Sequence, residues 1–397
     1  MAKSGNRKAK SGNGAAPKAA GPAIDYQHIE IVGDGRGTMQ GDYLLNKDRP
    51  MDKIRWLIEC FPEWGQFLNN QIEKAKVPKG NYSFWWTGGM GFVLKSPGGA
   101  VLLVDNYAGP AHYTEYAYCG VCRTTGSPTI DWMRLNPQVI DIFGFKTLDG
   151  VFCSHQHADH TDIYTLKAAT QTSKALFYGP LSAVERMRNF QVPEERIRVV
   201  RPGQKYRIKD VVVEILPNFD RIATMTGGPG VKVEPGVRRP FDDVAATFFF
   251  KIGGYNFCHL ADSLFQNAYV TFKKHKIDVL SVNIGYNAPG GTDKMTPYDA
   301  VRMAEAVGAK VLMPMHWDNW GNTTVDPEEV NWVAKRHVPD LKVIIPQWGV
   351  QWLFPLEKNL GKMTFDDWRE RYRPEMSWEY GEPARQAAAK RGEFIPY

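Results

Sequence analysis

His155-Gln156-His157-Ala158-Asp159-His160 places four metal-capable side chains in six positions, in a chain with only nine histidines. A strand-like, largely apolar run from Leu148 to Cys153 leads into it, and the pattern from Asp162 to about Thr170 predicts a helix leading out. In an extended segment, residues two apart point the same way, so His155 and His157 can share one ion. Asp159 and His160 then fall at the turn into the helix, where a second group of nitrogen and oxygen donors can form. The alternative is a polar loop with incidental histidines. Four ligand types at a strand-to-helix junction argue against it.

Composition narrows the rest. At 397 residues the chain has room for one large domain or two smaller ones, and 43% hydrophobic and 23% charged residues suit a soluble globular enzyme. No run approaches the roughly 20 apolar residues of a membrane span, and the positive N-terminus lacks the apolar core of a secretory signal. The net charge is +6, but Lys3, Arg7, Lys8, Lys10 and Lys18 all precede the first acid, Asp25. The remainder is nearly neutral, so the basic charge does not predict a nucleic-acid partner. The five cysteines, Cys60, Cys119, Cys122, Cys153 and Cys258, are sparse and odd in number, which fits a reducing cytoplasm. Cys119-Gly-Val-Cys122 is a lone CxxC with only His112 as an obvious further ligand, and it reads as ordinary thiols.

Residues 1–24 hold almost no bulky side chain and are expected to form a disordered basic tail. Residues 25–80 read as an N-terminal arm followed by helical segments from Met51 to Ala75, broken at Phe61-Pro62. From Asn81 the period shortens. Strands are expected at Tyr82–Thr87, Gly91–Lys95 and Val101–Asp105, then a long irregular segment over 106–137. Beyond the histidine loop, strands and helices alternate. Hairpins are expected at Tyr206–Leu216 and Ala245–Leu260, and helices at Leu181–Phe190, Phe265–Lys274, Pro297–Val307 and Pro327–His337. An antiparallel-rich first half and a βαβ-rich second half predict an α/β fold, an αββα sandwich of two mixed sheets flanked by helices over residues 81–356. Residues 357–397 form a C-terminal extension.

Two further strand ends can complete a metal site. Asp262 follows the strand-like Tyr255–His259, although a helix N-cap would explain it equally. His316 follows the strand Val311–Met315, where a structural histidine is the plainer alternative. Asp220, in Asn218-Phe-Asp-Arg221, is an additional candidate. Chemistry-bearing residues at several strand ends are what an active site at one edge of stacked sheets requires.

These residues resemble the metallo-β-lactamase superfamily. Phe61-Pro-Glu-Trp-Gly65, Trp85-Trp86 before a glycine-rich turn, Gly290-Gly-Thr-Asp-Lys-Met-Thr296 and His316-Trp-Asp-Asn-Trp320 narrow the likeness to the L-ascorbate-6-phosphate lactonase family, over about Met51 to Phe354. The resemblance implies a cytoplasmic, oligomeric sugar-phosphate lactonase favouring manganese, with zinc or iron compatible, and one or two divalent ions. It places His155, His157, Asp159, His160, Asp262 and His316 at metal positions, with Asp159 and His160 the catalytic candidates. The chain also departs from the family. His316-Trp317 stands for paired histidines, Leu264 for a histidine, and Ala288-Pro-Gly-Gly291 for a segment with a candidate phosphate-binding arginine. These departures spare the metal and alter the pocket. Asp220 stands where the superfamily usually has a histidine, much as in the lactonases, so one metal site is better furnished than the second.

A divalent ion lowers the pKa of bound water from 15.7 towards about 7, and Asp159 can orient that water or take its proton. The expected reaction is the opening of a sugar lactone, on a small anionic substrate such as a sugar phosphate. A phosphodiesterase or nuclease of the same fold is the alternative, and a binding protein that merely kept the metal is a third. Arg221, Lys294 and Arg302 are candidates for holding an anion, each otherwise a surface charge. Trp86, Tyr286, Asn287, Trp317 and Trp320 are candidates for the pocket wall, each otherwise core.

Overall fold

Fourteen strands carry the described part of the chain. The structure is a computed structural model, and it describes Lys53, Trp56 and residues 65–109, 135–224, 239–285, 294–319 and 323–359. All of these fall in one compact unit, Ile31–Tyr397. The first sheet takes β1 (Tyr82–Gly88), β2 (Gly91–Lys95), β3 (Val101–Val104), β4 (Gly150–Phe152), β5 (Leu176–Gly179), β6 (Ile197–Val199) and, from the far end of the chain, β14 (Gln351–Phe354). The second takes β7 (Lys205–Ile208), β8 (Val211–Pro217), β9 (Ala246–Ile252), β10 (Tyr255–His259), β11 (Val279–Asn283), β12 (Val311–Met315) and β13 (Lys342–Val343).

The strand orders are β14-β1-β2-β3-β4-β5-β6 and β13-β12-β11-β10-β9-β8-β7. Each sheet is mixed. In the first, β14, β1, β2 and β3 pair antiparallel and β3 to β6 pair parallel. In the second, β7 to β10 pair antiparallel and β10 to β13 parallel. The expected division into an antiparallel first half and a βαβ second half is therefore corrected. The crossovers through the helices Ile163–Thr172 and Leu181–Asn189 already make β4, β5 and β6 parallel in the first half.

Side-chain alternation builds four layers. Phe84, Phe92, Leu102 and Phe152 of the first sheet share one core with Val213, Phe248, Phe250, Phe257 and Met313 of the second. The intervening positions Trp85, Val93, Leu103 and Val151 face the other way, onto Leu166, Ala169 and Val184 of the two crossover helices. Phe249, Cys258, Leu280 and Leu312 likewise face outwards, onto Phe272, Val301, Ala304 and Val330. Period-two burial on both faces is what two stacked sheets covered by helices demand. Phe152 meets Phe248 edge-on at 5.2 Å and Phe92 meets Phe257 at 5.3 Å, so aromatic pairs lock the sheets together.

Local rules set the helix ends. Asp162 caps Ile163–Thr172 by accepting from the Thr165 amide. Thr296 caps Pro297–Val307, which starts on proline and ends on the left-handed Gly308. The segment expected as a helix over Phe265–Lys274 is a 3-10 helix, Asn267–His275. Its Tyr269-Val270-Thr271-Phe272 run is poor in α-helix formers, and the amides of Tyr269 and Lys276 bond three residues back. Of the segments expected helical over Met51–Ala75, the structure gives Phe67–Lys74. The basic tail, Cys60, Cys119 and Cys122, and most of 106–137 lie outside the described residues.

A candidate metal centre at the carboxyl ends of the strands

The two sheets bring their polar residues to one edge. Asp105 follows β3, Ser154 and His155 follow β4, Asp220 follows β8, Asp262 lies just beyond β10, and His316 follows β12. The convergence has a local cost. Asp105, Ala261 and His316 all have positive φ, at 41°, 59° and 71°, in a region that non-glycine residues avoid. Each such residue costs on the order of 1–3 kcal/mol and survives only where its surroundings over-determine it. Here the His316 amide donates to the Gly89 carbonyl at 3.1 Å, which fixes the turn.

The histidine loop is braced from three sides. His160 and Thr161 amides both donate to the His157 carbonyl, closing the turn. The Gln156 side chain donates to Ala223 O at 2.8 Å, and the buried Arg186 donates to Thr161 O at 2.6 Å. His155 also bridges to Ala245 on the second sheet's side of the molecule.

Two groups of ligand-type side chains result, His155 with His157 and Asp262, and Asp159 with His160 and His316. Within each, the donor atoms lie within 4.8 Å of one another. Asp262 faces both, with His160 Nε2 at 3.4 Å and His316 Nε2 at 3.5 Å. Asp220 lies 4.0 Å from His155 Nε2. His155, Asp159, His160, Asp220, Asp262 and His316 are almost wholly buried.

A carboxylate and a histidine behind the loop complete the arrangement, and neither stood out in the sequence. Asp105 accepts from Ser154 N at 2.7 Å, Ser154 Oγ at 2.6 Å, His160 Nδ1 at 3.1 Å and His259 Nε2 at 2.9 Å. His259 is held in turn by Ser281 Oγ at 2.9 Å. The signal for Asp105 was available. An aspartate directly after the buried run Val101-Leu-Leu-Val104 repeats the pattern that singled out Asp262.

The electrostatics follow from burial and crowding. Burial opposes a charge on His160, but Asp159, Asp262 and Asp105 together outweigh it and hold that imidazole well above the usual histidine range. His155 goes the other way, pushed down by burial and by the neighbouring His160 and His157. Burial works against ionised Asp159 too, yet His160 and His316 hold its carboxyl well below the ordinary value. Asp262 is depressed likewise against burial, first by Lys294 and then by His316 and His160.

These donors fit a cation. His160 Nε2, His316 Nε2 and Asp262 Oδ1 are buried, and none has a hydrogen-bond partner among the described residues. Stranding such atoms costs about 1–3 kcal/mol each. Imidazoles and carboxylates facing a common point, without cysteine, are the donor set of Mn, Fe or Zn. His160 Nδ1 donates to Asp105, which leaves Nε2 to face the cluster, the carboxylate–histidine arrangement that supports metal ligands.

The remaining expected residues divide. Lys294 is no surface charge; it is buried and donates to Asp262 Oδ2 at 2.7 Å. Arg221 follows Asp220 on the exposed rim. Arg302 stacks over Phe265 at 4.0 Å. The Asp262 cap alternative is excluded, since Gln266 holds the N-cap position of the next helical segment. Trp86 is corrected from pocket to core. It is fully buried against Trp317 at 5.2 Å and Trp348 at 6.1 Å, with its Nε1 donating to Gly89 O. Trp317 remains half-buried beside His316. Tyr286, Asn287 and Trp320 lie outside the described residues.

Comparison with known proteins bears on the family and the fold. A family model described as a beta-lactamase superfamily domain matches residues 128–317. The chain is 35% identical over 328 residues to a probable L-ascorbate-6-phosphate lactonase, UlaG, of Escherichia coli O127:H6, covering 79% of this chain and 93% of the relative. The same protein from Escherichia coli O139:H28 is 34% identical over the same coverage. Among solved structures, an isothiocyanate hydrolase from Delia radicum gut bacteria matches with a TM-score of 0.51 at 17% identity, covering 68% of this chain and 98% of the other. A possible metal-dependent hydrolase from Veillonella parvula matches with a TM-score of 0.51 at 15% identity, covering 69% and 99%. At those identities the structures speak for the fold.

Proposed function

Because the chain belongs to the L-ascorbate-6-phosphate lactonase family within the metallo-β-lactamase superfamily, we propose that it is a metal-dependent hydrolase opening the lactone ring of a sugar that carries an anionic group. The observation that carries the reading is the meeting of His155, His157, Asp159, His160, Asp262 and His316, all but His157 buried, at one edge of the two sheets. Manganese is the favoured ion by family likeness, with zinc or iron compatible and one or two ions accommodated. A bound divalent ion supplies Lewis acidity and makes hydroxide accessible near neutral pH.

The chain's own residues do the rest. Asp159, ionised and buried, is the group that orients an attacking water or takes its proton. His155, His157 and Asp262 would hold one ion and Asp159, His160 and His316 another, with Asp262 facing both. The Lys294 ammonium beside Asp262 and the rim residue Arg221 favour a negatively charged substrate. Trp317, with Tyr286, Asn287 and Trp320 by position in sequence, would form the wall. The sparse thiols and family likeness favour a cytoplasmic homo-oligomer.

The test is purified protein, stripped and reloaded with Mn²⁺ or Zn²⁺, on a panel of sugar lactones with and without phosphate, beside phosphodiesters. Metal-dependent ring opening, fastest on the phosphorylated lactones, is expected. Phosphodiester turnover without ring opening would overturn the reading.

A further inference from the structure

Two buried asparagines form a directed chain that ends on Asp159. Asn319 Nδ2 donates to Asp159 Oδ2 at 3.1 Å. That same oxygen lies 3.1 Å from His316 Nε2 and 3.5 Å from His160 Nε2, so it is the one aimed into the cluster. Asn319 Oδ1 accepts from Asn136 Nδ2 at 3.1 Å. Asn319 is fully buried and Asn136 is 5% exposed.

The polarity of this chain is determined. An amide side chain can turn over, presenting either its NH₂ or its oxygen. With its oxygen towards ionised Asp159, Asn319 would set two acceptors against each other. Asn136 prevents that by offering an NH₂ to the Asn319 oxygen. The orientation of Asn136 is fixed one step further back, because it donates to the Asp318 carboxylate as well. Asp318 is itself an acceptor from two donors that cannot reverse, Gly89 N at 3.1 Å and Trp348 Nε1 at 2.8 Å.

The backbone enforces the pairing. Leu135 N donates to Asn319 O at 3.0 Å, pinning the segment that carries Asn136 to the turn after β12. Gly88, at φ 99°, lies so close that a Cβ there would come within 2.8 Å of Asn136 Cγ. Any side chain at position 88 would displace Asn136.

We propose that Asn319 is the positioning residue for Asp159 and that Asn136 locks Asn319 in its donating orientation, so that this pair sets divalent-metal affinity at the Asp159, His160 and His316 group. The inference rests on the reading of Asp159 as a metal ligand. Outer partners of this type are typically worth about ten- to a hundred-fold in metal affinity.

The experiment titrates the metal-free full-length protein with Mn²⁺ by calorimetry and records the electron paramagnetic resonance spectrum at saturation. Asn319→Ala is expected to weaken binding about ten- to a hundred-fold and to alter the spectrum of the bound ion. Asn136→Ala is expected to weaken it less, and to change affinity by less than about two-fold when added to Asn319→Ala, since it acts through that residue. Should Asn319→Ala fail to fold, Asn136→Ala carries the test, with a weaker affinity and an altered spectrum at unchanged unfolding temperature expected. Wild-type affinity and spectrum in the foldable variants, or full additivity of the two, would overturn the proposal. Wild-type protein that binds no divalent ion would remove the metal reading and this inference with it, whereas strong wild-type binding with indifferent variants would remove the inference alone.

Discussion

At the scale of single residues, the buried charge on Asp105 does the organising. It collects four hydrogen bonds, from Ser154 N, Ser154 Oγ, His160 and His259, and those donors hold it ionised against its burial. As an acceptor it obliges His160 to carry its proton on Nδ1. In Asp105→Asn the amide can present NH₂ instead, turning the imidazole to the tautomer whose Nε2 is protonated and unable to ligate. Divalent affinity should fall about ten- to a hundred-fold, read by calorimetry, and an unchanged affinity would contradict this role. His160 also gives a pH dependence. Its pKa is raised in the metal-free fold, so below that raised value an ion must displace a proton. Affinity should fall about ten-fold per pH unit as pH drops below it, with proton release visible as buffer-dependent binding enthalpy. The same proton stabilises the metal-free fold. Its contribution is complete below the ordinary histidine value of about 6.5 and is lost as pH rises through the raised one. What the sequence could reveal here was limited by distance along the chain. His155, His157, Asp159 and His160 announce themselves by spacing. Asp105 meets His259 across 154 residues, and Asn136 meets Asn319 across 183, and no local pattern encodes such pairs.

At the scale of elements, legibility followed how much of the signal was local. The helix Pro297–Val307 was readable end to end, because its cap, its first-turn proline and its terminal glycine lie within the segment. The 3-10 segment Asn267–His275 was readable as helical but not in its type. Strands were readable from their alternation, but the aromatic at position 86 could not be assigned to pocket or core. That depends on Trp317 and Trp348, which arrive from β12 and the turn before β14. The inner face of the sheets is where a side chain matters most. Phe250 packs against Phe152 at 5.6 Å, Phe257 at 6.1 Å and Phe92 at 6.4 Å, with no exposure. Phe250→Ala should cost about 3–5 kcal/mol in denaturant unfolding. Trp332→Ala, on a 63% exposed position of the helix Glu328–His337, should stay within about 0.5 kcal/mol. Comparable losses at the two sites would contradict the layer assignment.

At the scale of the whole molecule, the candidate ligands are divided between the sheets. His155, His157, Asp159 and His160 extend from β4 of the first, and Asp262 and His316 from the ends of β10 and β12 of the second. Aromatic packing joins the sheets through their centre, while at the polar edge His160 Nε2, His316 Nε2 and Asp262 Oδ1 crowd one another with no hydrogen-bond partner among the described residues. An ion bound there would cross-link the two sheets at this edge, adding to the Asp105–His259 bond that already spans them. It would bind the folded chain, while the unfolded chain has no such cluster, so metal should raise stability by mass action. At a free concentration a hundred times the dissociation constant the gain is about 2.7 kcal/mol. Thermal unfolding of the stripped protein should therefore move to higher temperature with added Mn²⁺ and return with chelator. Because the gain depends on spanning both sheets, His155→Ala and His316→Ala should each reduce it, although they lie on opposite sides of the sandwich. A metal-induced rise that survived loss of His316 at wild-type size would mean that the ion is held by the His155, His157 and Asp262 group, without the Asp159, His160 and His316 group.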